Sequence, residues 1–138
     1  MQVQEGEGWR LALDSSRHPF PVLIGGAGWA AELSAVEALA LRRGIGRLLD
    51  QHRALAETLM ADEAIELELE LALESGGCLW LALEGDRRHW GLRFVLSPLA
   101  GGRGLEGAWG PAASEAFAAA VELASAIADL ASSSLRSG

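Results

Sequence analysis

At 138 residues, 50% of them hydrophobic, the chain is long enough to build one cored domain without metal or disulfide staples and too apolar for disorder. A single cysteine, Cys78, excludes an internal disulfide, and nothing in the composition demands an oxidising compartment. Nineteen acids face eleven bases, every one an arginine, and the net charge of −8 opposes phosphate binding by the molecule as a whole.

The start of the chain, MQVQEGEGW, has neither the basic nor the apolar segment of a secretory signal. No apolar run approaches the roughly 18 residues needed to span a bilayer. A soluble, cytoplasmic protein with no membrane partner is the expectation, as one domain over 1–138 with an ordered core over 6–132 and a frayed tail over 133–138.

In chain order, Trp9, Leu11 and Leu13 alternate with Arg10 and Ala12, the period-two pattern of a half-buried strand. Pro19 and Pro21 break it, Val22–Ile24 resumes as a second strand, and Trp29–Leu33 reads as a third. Gly25-Gly26-Ala27-Gly28 between the last two is read as a turn needing positive φ, since no lysine follows to make it a phosphate loop.

Ser34 and Glu37 form a capping box that opens a helix to about Met60, with Leu41, Ile45, Leu48, Leu49, Leu55 and Leu59 on its buried stripe. Gly44 and Gly46 each cost the helix roughly 1 kcal/mol relative to alanine. That cost predicts close packing against another backbone, or else a kink.

From Ile65, leucines alternate with Glu66, Glu68, Glu70 and Glu74, the clearest strand in the chain. Two further strands follow, CLWLALEG and HWGLRFVL, with Trp90 sharing the parity of the core and Trp80 the opposite parity. A glycine-rich loop over 98–104, a short strand LEGAW and a helix from about Ala112 to Ala131 complete the chain. The predicted fold class is therefore α+β: two antiparallel meanders, of three and four strands, each followed by a helix. Trp29-x4-Ser34-x3-Ala38-x-Ala40 aligns with Trp109-x4-Ser114-x3-Ala118-x-Ala120, either by chance in an alanine-rich chain or as the trace of a duplication.

Chemistry-bearing constellations are sparse. His18, His52 and His89 lack metal-ligand spacing, and His52 falls on the buried stripe as a satisfied boundary residue. The Asp62-Glu63-x-x-Glu66 group reads as a solvated junction, and Cys78 as a small hydrophobe opening a strand. No catalytic, metal or cofactor residues are assigned, and no enzyme activity is expected.

Two surfaces remain. The glutamates Glu66, Glu68, Glu70 and Glu74 form either a solvated face, with Arg93 as a cross-strand partner, or an acidic docking face. Trp80 with Arg87, Arg88, Arg93 and Arg103 supplies the components of a stacking, phosphate-contacting face for single strands.

Glu7-Gly8-Trp9-Arg10-Leu11, Leu23 through Leu33, Met60-Ala61-Asp62-Glu63 and Leu105-Glu106-Gly107-Ala108-Trp109 together resemble the signature blocks of an uncharacterised cyanobacterial domain family, over residues 6 to about 125. The resemblance implies a fold similar to the Whirly-type single-stranded-DNA-binding transcriptional regulators, and no catalytic residues. The leading expectation is a non-catalytic regulatory module binding single-stranded nucleic acid. The alternative is a protein-interaction or assembly module using an acidic or apolar surface. A homodimer is expected through Ala118, Ala119, Ala120 and Ala124 on the last helix.

Overall fold

The computed structural model describes residues 1–99 and 102–137; part of the expected glycine-rich loop, residues 100 and 101, and the last residue lie outside the described residues. Its element order is β1 (Gln2–Gly6), β2 (Trp9–Leu13), β3 (Val22–Gly26), β4 (Trp29–Leu33), α1 (Ala35–Ala56), β5 (Ile65–Ala72), β6 (Cys78–Gly85), β7 (Trp90–Ser97), β8 (Leu105–Trp109), α2 (Pro111–Leu123) and α3 (Ala126–Ser137). The strands form two four-stranded antiparallel meanders, β1-β2-β3-β4 and β5-β6-β7-β8, so the α+β class holds with one strand more than the sequence predicts in the first sheet. The extra strand is β1, QVQEG, whose five residues are all exposed and carry no apolar alternation to betray it.

Alternation places the core as predicted. Leu11, Leu13, Val22, Ile24 and Leu33 are buried on the first sheet, and Leu79, Leu81, Leu83, Trp90, Leu92, Phe94 and Leu96 on the second. Helix α1 packs on β5 and β6, while α2 packs against both β7 and β2. The helix of the first half thus covers the sheet of the second. Of the expected turn Gly25-Gly26-Ala27-Gly28, Gly25 and Gly26 instead complete β3, and the β3–β4 hairpin turns at Ala27-Gly28 with Gly28 in the left-handed region at φ 79°.

The capping box is present: the Ser34 hydroxyl accepts from the Glu37 amide at 3.2 Å and the Glu37 carboxylate accepts from the Ser34 amide at 2.8 Å. Helix α1 then runs without a break through both glycines and ends at Ala56, short of the predicted Met60. Gly44 is buried, and a Cβ on it would run into Leu81 and press Leu71 at 3.2 Å, so the close packing is against sheet side chains rather than another backbone. At Gly46 the nearest atom to an added Cβ is a Glu122 carboxylate oxygen at 3.8 Å, which leaves room.

The last helix departs from its prediction. It breaks at Ala124 and bends by 59° between α2 and α3, which spans Ala126–Ser137. The carbonyls at the break are met from α1. Arg42 donates to the Val121 carbonyl at 3.1 Å and the Glu122 carbonyl at 2.7 Å, occupying acceptors that a continuous helix would offer to Ser125 and Ala126. No single helix among the described residues is long and apolar enough to cross a membrane.

The repeat of four strands and a helix is present in the topology, but the aligned residues are not equivalent. Trp29 opens β4 whereas Trp109 closes β8, and Ser34 is an N-cap whereas Ser114 lies inside α2. Ser114 is fully buried and joins three elements, its hydroxyl accepting from the Leu92 amide at 2.9 Å and donating to the Trp109 carbonyl at 2.8 Å.

Candidate functional site

Among the described residues the second sheet has an outer face, exposed at Glu66, Glu68, Glu70, Glu84 and Arg93, and strand register decides what stands on it. Glu66 pairs with Glu84, Glu68 with Ala82, Glu70 with Trp80 and Ala72 with Cys78. Across β6 and β7, Ala82 pairs with Arg93 and Trp80 with Val95, and Val95 in turn pairs with Glu106. Cross-strand partners share a face, so Trp80 shares this one with Glu66, Glu68, Glu70, Glu84 and Glu106, and Arg93 is the only cation that these strands place there among the described residues.

Trp80 is half-buried and Arg93 exposed, and the guanidinium carbon of Arg93 stands 5.0 Å from the centre of the Trp80 ring. Parity predicts that meeting. Arg93 does not neutralise the glutamate ladder of β5, however. It bonds Glu84 on the adjacent strand at 2.8 Å, leaving Glu66, Glu68 and Glu70 exposed, with no ion pair formed by any of them among the described residues.

The remaining arginines of the predicted stacking face are elsewhere. Arg103 crosses from the β7–β8 loop to the start of α1, donating to Glu37 at 2.7 and 3.1 Å and to the Glu32 carbonyl at 2.6 Å while lying 4.2 Å from the centre of the Phe20 ring. Its donors are used to join the two halves. Arg87 turns toward the end of α1, donating to the Leu59 carbonyl at 3.4 Å, and its Nε is buried without a partner. Arg88 is exposed in the β6–β7 hairpin. In that turn the Asp86 carboxylate accepts from the Arg88 amide at 2.8 Å and the His89 amide at 2.7 Å, and these bonds hold its carboxyl below the usual range. The five predicted residues therefore do not make one surface; Trp80 and Arg93 meet, and Arg103 and Arg87 are drawn into the fold.

Glu74 also leaves the predicted acidic face. It lies past the end of β5 and lines, with Val36, Leu39 and Arg43 of α1, a shallow cavity of about 180 Å³ beside α3. Glu84 and Glu106 take its place on the outer face, and the parity of Glu84 with Trp80 is the signal that finds the first of them in the sequence. Cys78 stands at the β6 end of the same face. A hydrogen bond to Glu70, burial, and the Glu70 charge all push its thiol above the usual range.

His52 is 6% exposed and donates from Nε2 to the Asp86 carbonyl at 3.0 Å, packed 5.8 Å from the Trp90 ring, which is the satisfied histidine predicted. Among the described residues no three His, Cys, Asp or Glu side chains group as a metal site would need. Ala118, Ala120 and Ala124, named for a helix–helix dimer, are buried in the chain's own core, and only Ala119 of that set is exposed.

With this geometry in hand, comparison with known proteins gives the family. A model for a domain of unknown function, DUF1818, matches residues 4–124. The chain belongs to the DUF1818 family. A crystal structure at 1.80 Å of a protein of unknown function, described as from the DUF155 family of Prochlorococcus sp. NATL2A, is similar to this DUF1818 chain at 39% identity and a TM-score of 0.79. The similarity covers 88% of this chain and 96% of that one. Among curated proteins nothing matches. The expected membership of an uncharacterised cyanobacterial-type family is met at this level.

Proposed function

We propose that this DUF1818 chain is a non-catalytic docking module that receives a basic protein partner on the outer face of its second sheet. The observation that carries the reading is the placement of the half-buried Trp80 among Glu66, Glu68, Glu70, Glu84 and Glu106, with Arg93 already committed to Glu84. A lysine or arginine from a partner gains charge attraction from the free glutamates and an aromatic surface on which to lay its aliphatic stem. The net charge of −8 favours such an encounter before contact is made.

A second reading, single-stranded nucleic-acid binding of the Whirly type, is favoured by the stacking of Arg93 on Trp80 and by the repeated order of four strands and a helix. Against it stands the local charge: a phosphate approaching Trp80 meets carboxylates on three sides and one neutralised arginine. Anisotropy titrations with labelled octa-arginine and labelled single-stranded oligothymidylate, at low and then moderate salt, separate the two. Docking predicts peptide binding that weakens with salt and is lost in the combined Glu66→Gln, Glu68→Gln, Glu70→Gln variant. Oligothymidylate binding abolished by Arg93→Glu would replace that reading with the second one.

A further inference from the structure

Strand β5 is the edge of the second sheet and, at eight residues, as long as any strand in the molecule. Among the described residues its backbone hydrogen bonds go to β6 or stay within the adjoining turn, so its other side keeps a row of unpaired amide and carbonyl groups. The remaining edges differ. Strand β1 has five residues; the Glu32 carbonyl of β4 is taken by Arg103, and the Ala108 carbonyl of β8 by Trp29. Along β5, Leu67, Leu69 and Leu71 are only half-buried on the helix side, and Glu66, Glu68 and Glu70 are exposed on the other.

We infer that the free edge of β5 is a strand-addition site for an extended segment of a partner protein in which basic and aliphatic residues alternate. The inference rests on the docking reading above and specifies its geometry. A strand laid on this edge pairs its backbone with the open amides and carbonyls. Its alternate side chains then fall opposite Glu66, Glu68 and Glu70 on one face and beside Leu67, Leu69 and Leu71 on the other. Arginine or lysine complements the first row and valine, isoleucine or leucine the second.

A second copy of this chain fits poorly. Any antiparallel register that keeps the leucines of both copies on the helix side sets glutamate opposite glutamate along the seam, which repels. The glutamates therefore exclude self-pairing at an otherwise open edge while leaving it available to a strand of opposite charge.

The test uses the full chain and a fluorescein-labelled octapeptide alternating arginine and valine, with two derivatives, one N-methylated at every arginine and one at every valine. Successive amides of a strand point to opposite edges, so strand addition predicts that one derivative loses more than about tenfold in affinity and the other binds as the parent does. Equal binding by all three overturns strand addition and leaves surface docking intact. No binding by the parent at low salt overturns both readings. If both derivatives lose affinity, amide hydrogen exchange decides: protection gained in 65–72 with the parent peptide upholds the edge site, and unchanged exchange there overturns it.

Discussion

Trp29 and Trp109 stand 5.2 Å apart, centre to centre, and each gives its indole N–H to the backbone of the opposite sheet. Trp109 donates to the Gly25 carbonyl at 2.8 Å, and Trp29 to the Ala108 carbonyl at 3.1 Å. Phe94 packs on both rings, and Phe117 of α2 stacks on Trp109 at 4.1 Å. The two sheets are thus joined by an aromatic seam with its polar edges satisfied, and the Trp109 bond, which is buried, is the expensive one to leave unmade.

Ser114 anchors the α2 side of that seam. Ser114→Ala leaves the Leu92 amide without its acceptor and removes the bond to the Trp109 carbonyl, and Ser114 is wholly buried. Chemical denaturation is expected to show a loss of about 2 kcal/mol with an unchanged denaturant slope. A loss near zero would mean that neither backbone group depends on the hydroxyl.

The two glycines of α1 give opposite results on replacement by alanine. Gly44→Ala drives a methyl into Leu81 and Leu71 and is expected to destabilise by about 1–3 kcal/mol. Gly46→Ala meets only a Glu122 carboxylate oxygen at 3.8 Å and is expected to stabilise by up to about 1 kcal/mol through helix propensity. Thermal unfolding of the pair measures both signs in one experiment.

Burial pushes the Glu37 carboxyl up, but the hydrogen bond from Arg103, those from Ser34 and the Arg103 charge outweigh it and hold the group below its ordinary 4.5. The unfolded chain therefore binds the proton more tightly, so the stability Glu37 confers is complete above about pH 4.5 and is lost as pH falls through the lower folded value. Asp14 and Asp86 shift in the same direction, each through hydrogen bonds from its own turn. Glu37→Gln is expected to cost about 1–2 kcal/mol at pH 7, a figure lowered because Arg103 is partly solvated, and the gap to the parent should close on acidification. A pH-independent gap would show that the loss is one of packing.

Cys78 should alkylate slowly. With its thiol held above the ordinary 9.0 by Glu70 and by burial, iodoacetamide labelling at pH 8 is expected to run slower than for an unhindered cysteine. Glu70→Gln removes the leading cause and should accelerate it. Equal rates for the two proteins would show that access, and not the neighbouring carboxylate, sets the reactivity.

Local pattern made much of this molecule legible. Period-two alternation identified β2 and β5–β8 and put Trp90 inside and Trp80 outside; the Ser34–Glu37 spacing located the start of α1; helical spacing buried His52. What escaped depends on partners distant in sequence. Strand β1 forms because β2 offers an edge, not because QVQEG alternates. The α2–α3 bend has its carbonyls met by Arg42, about eighty residues away, and contains neither glycine nor proline. Arginine placement was the least legible feature of the candidate site. Arg93 and Arg103 look alike in the sequence, yet one lies on Trp80 and the other is spent on Glu37 and Phe20.

The packing of α1 on β5 and β6, with α2 laid against both β7 and β2, means that each half of the chain supplies part of the cover of the other. Cleavage in the exposed 60–64 connection would give two fragments, each a sheet missing part of its cover, that should remain unstructured apart and reassemble when mixed. The same exchange of lids between two intact copies gives an intertwined dimer without any new contact surface, so concentrated refolding from denaturant is where such a species would be trapped.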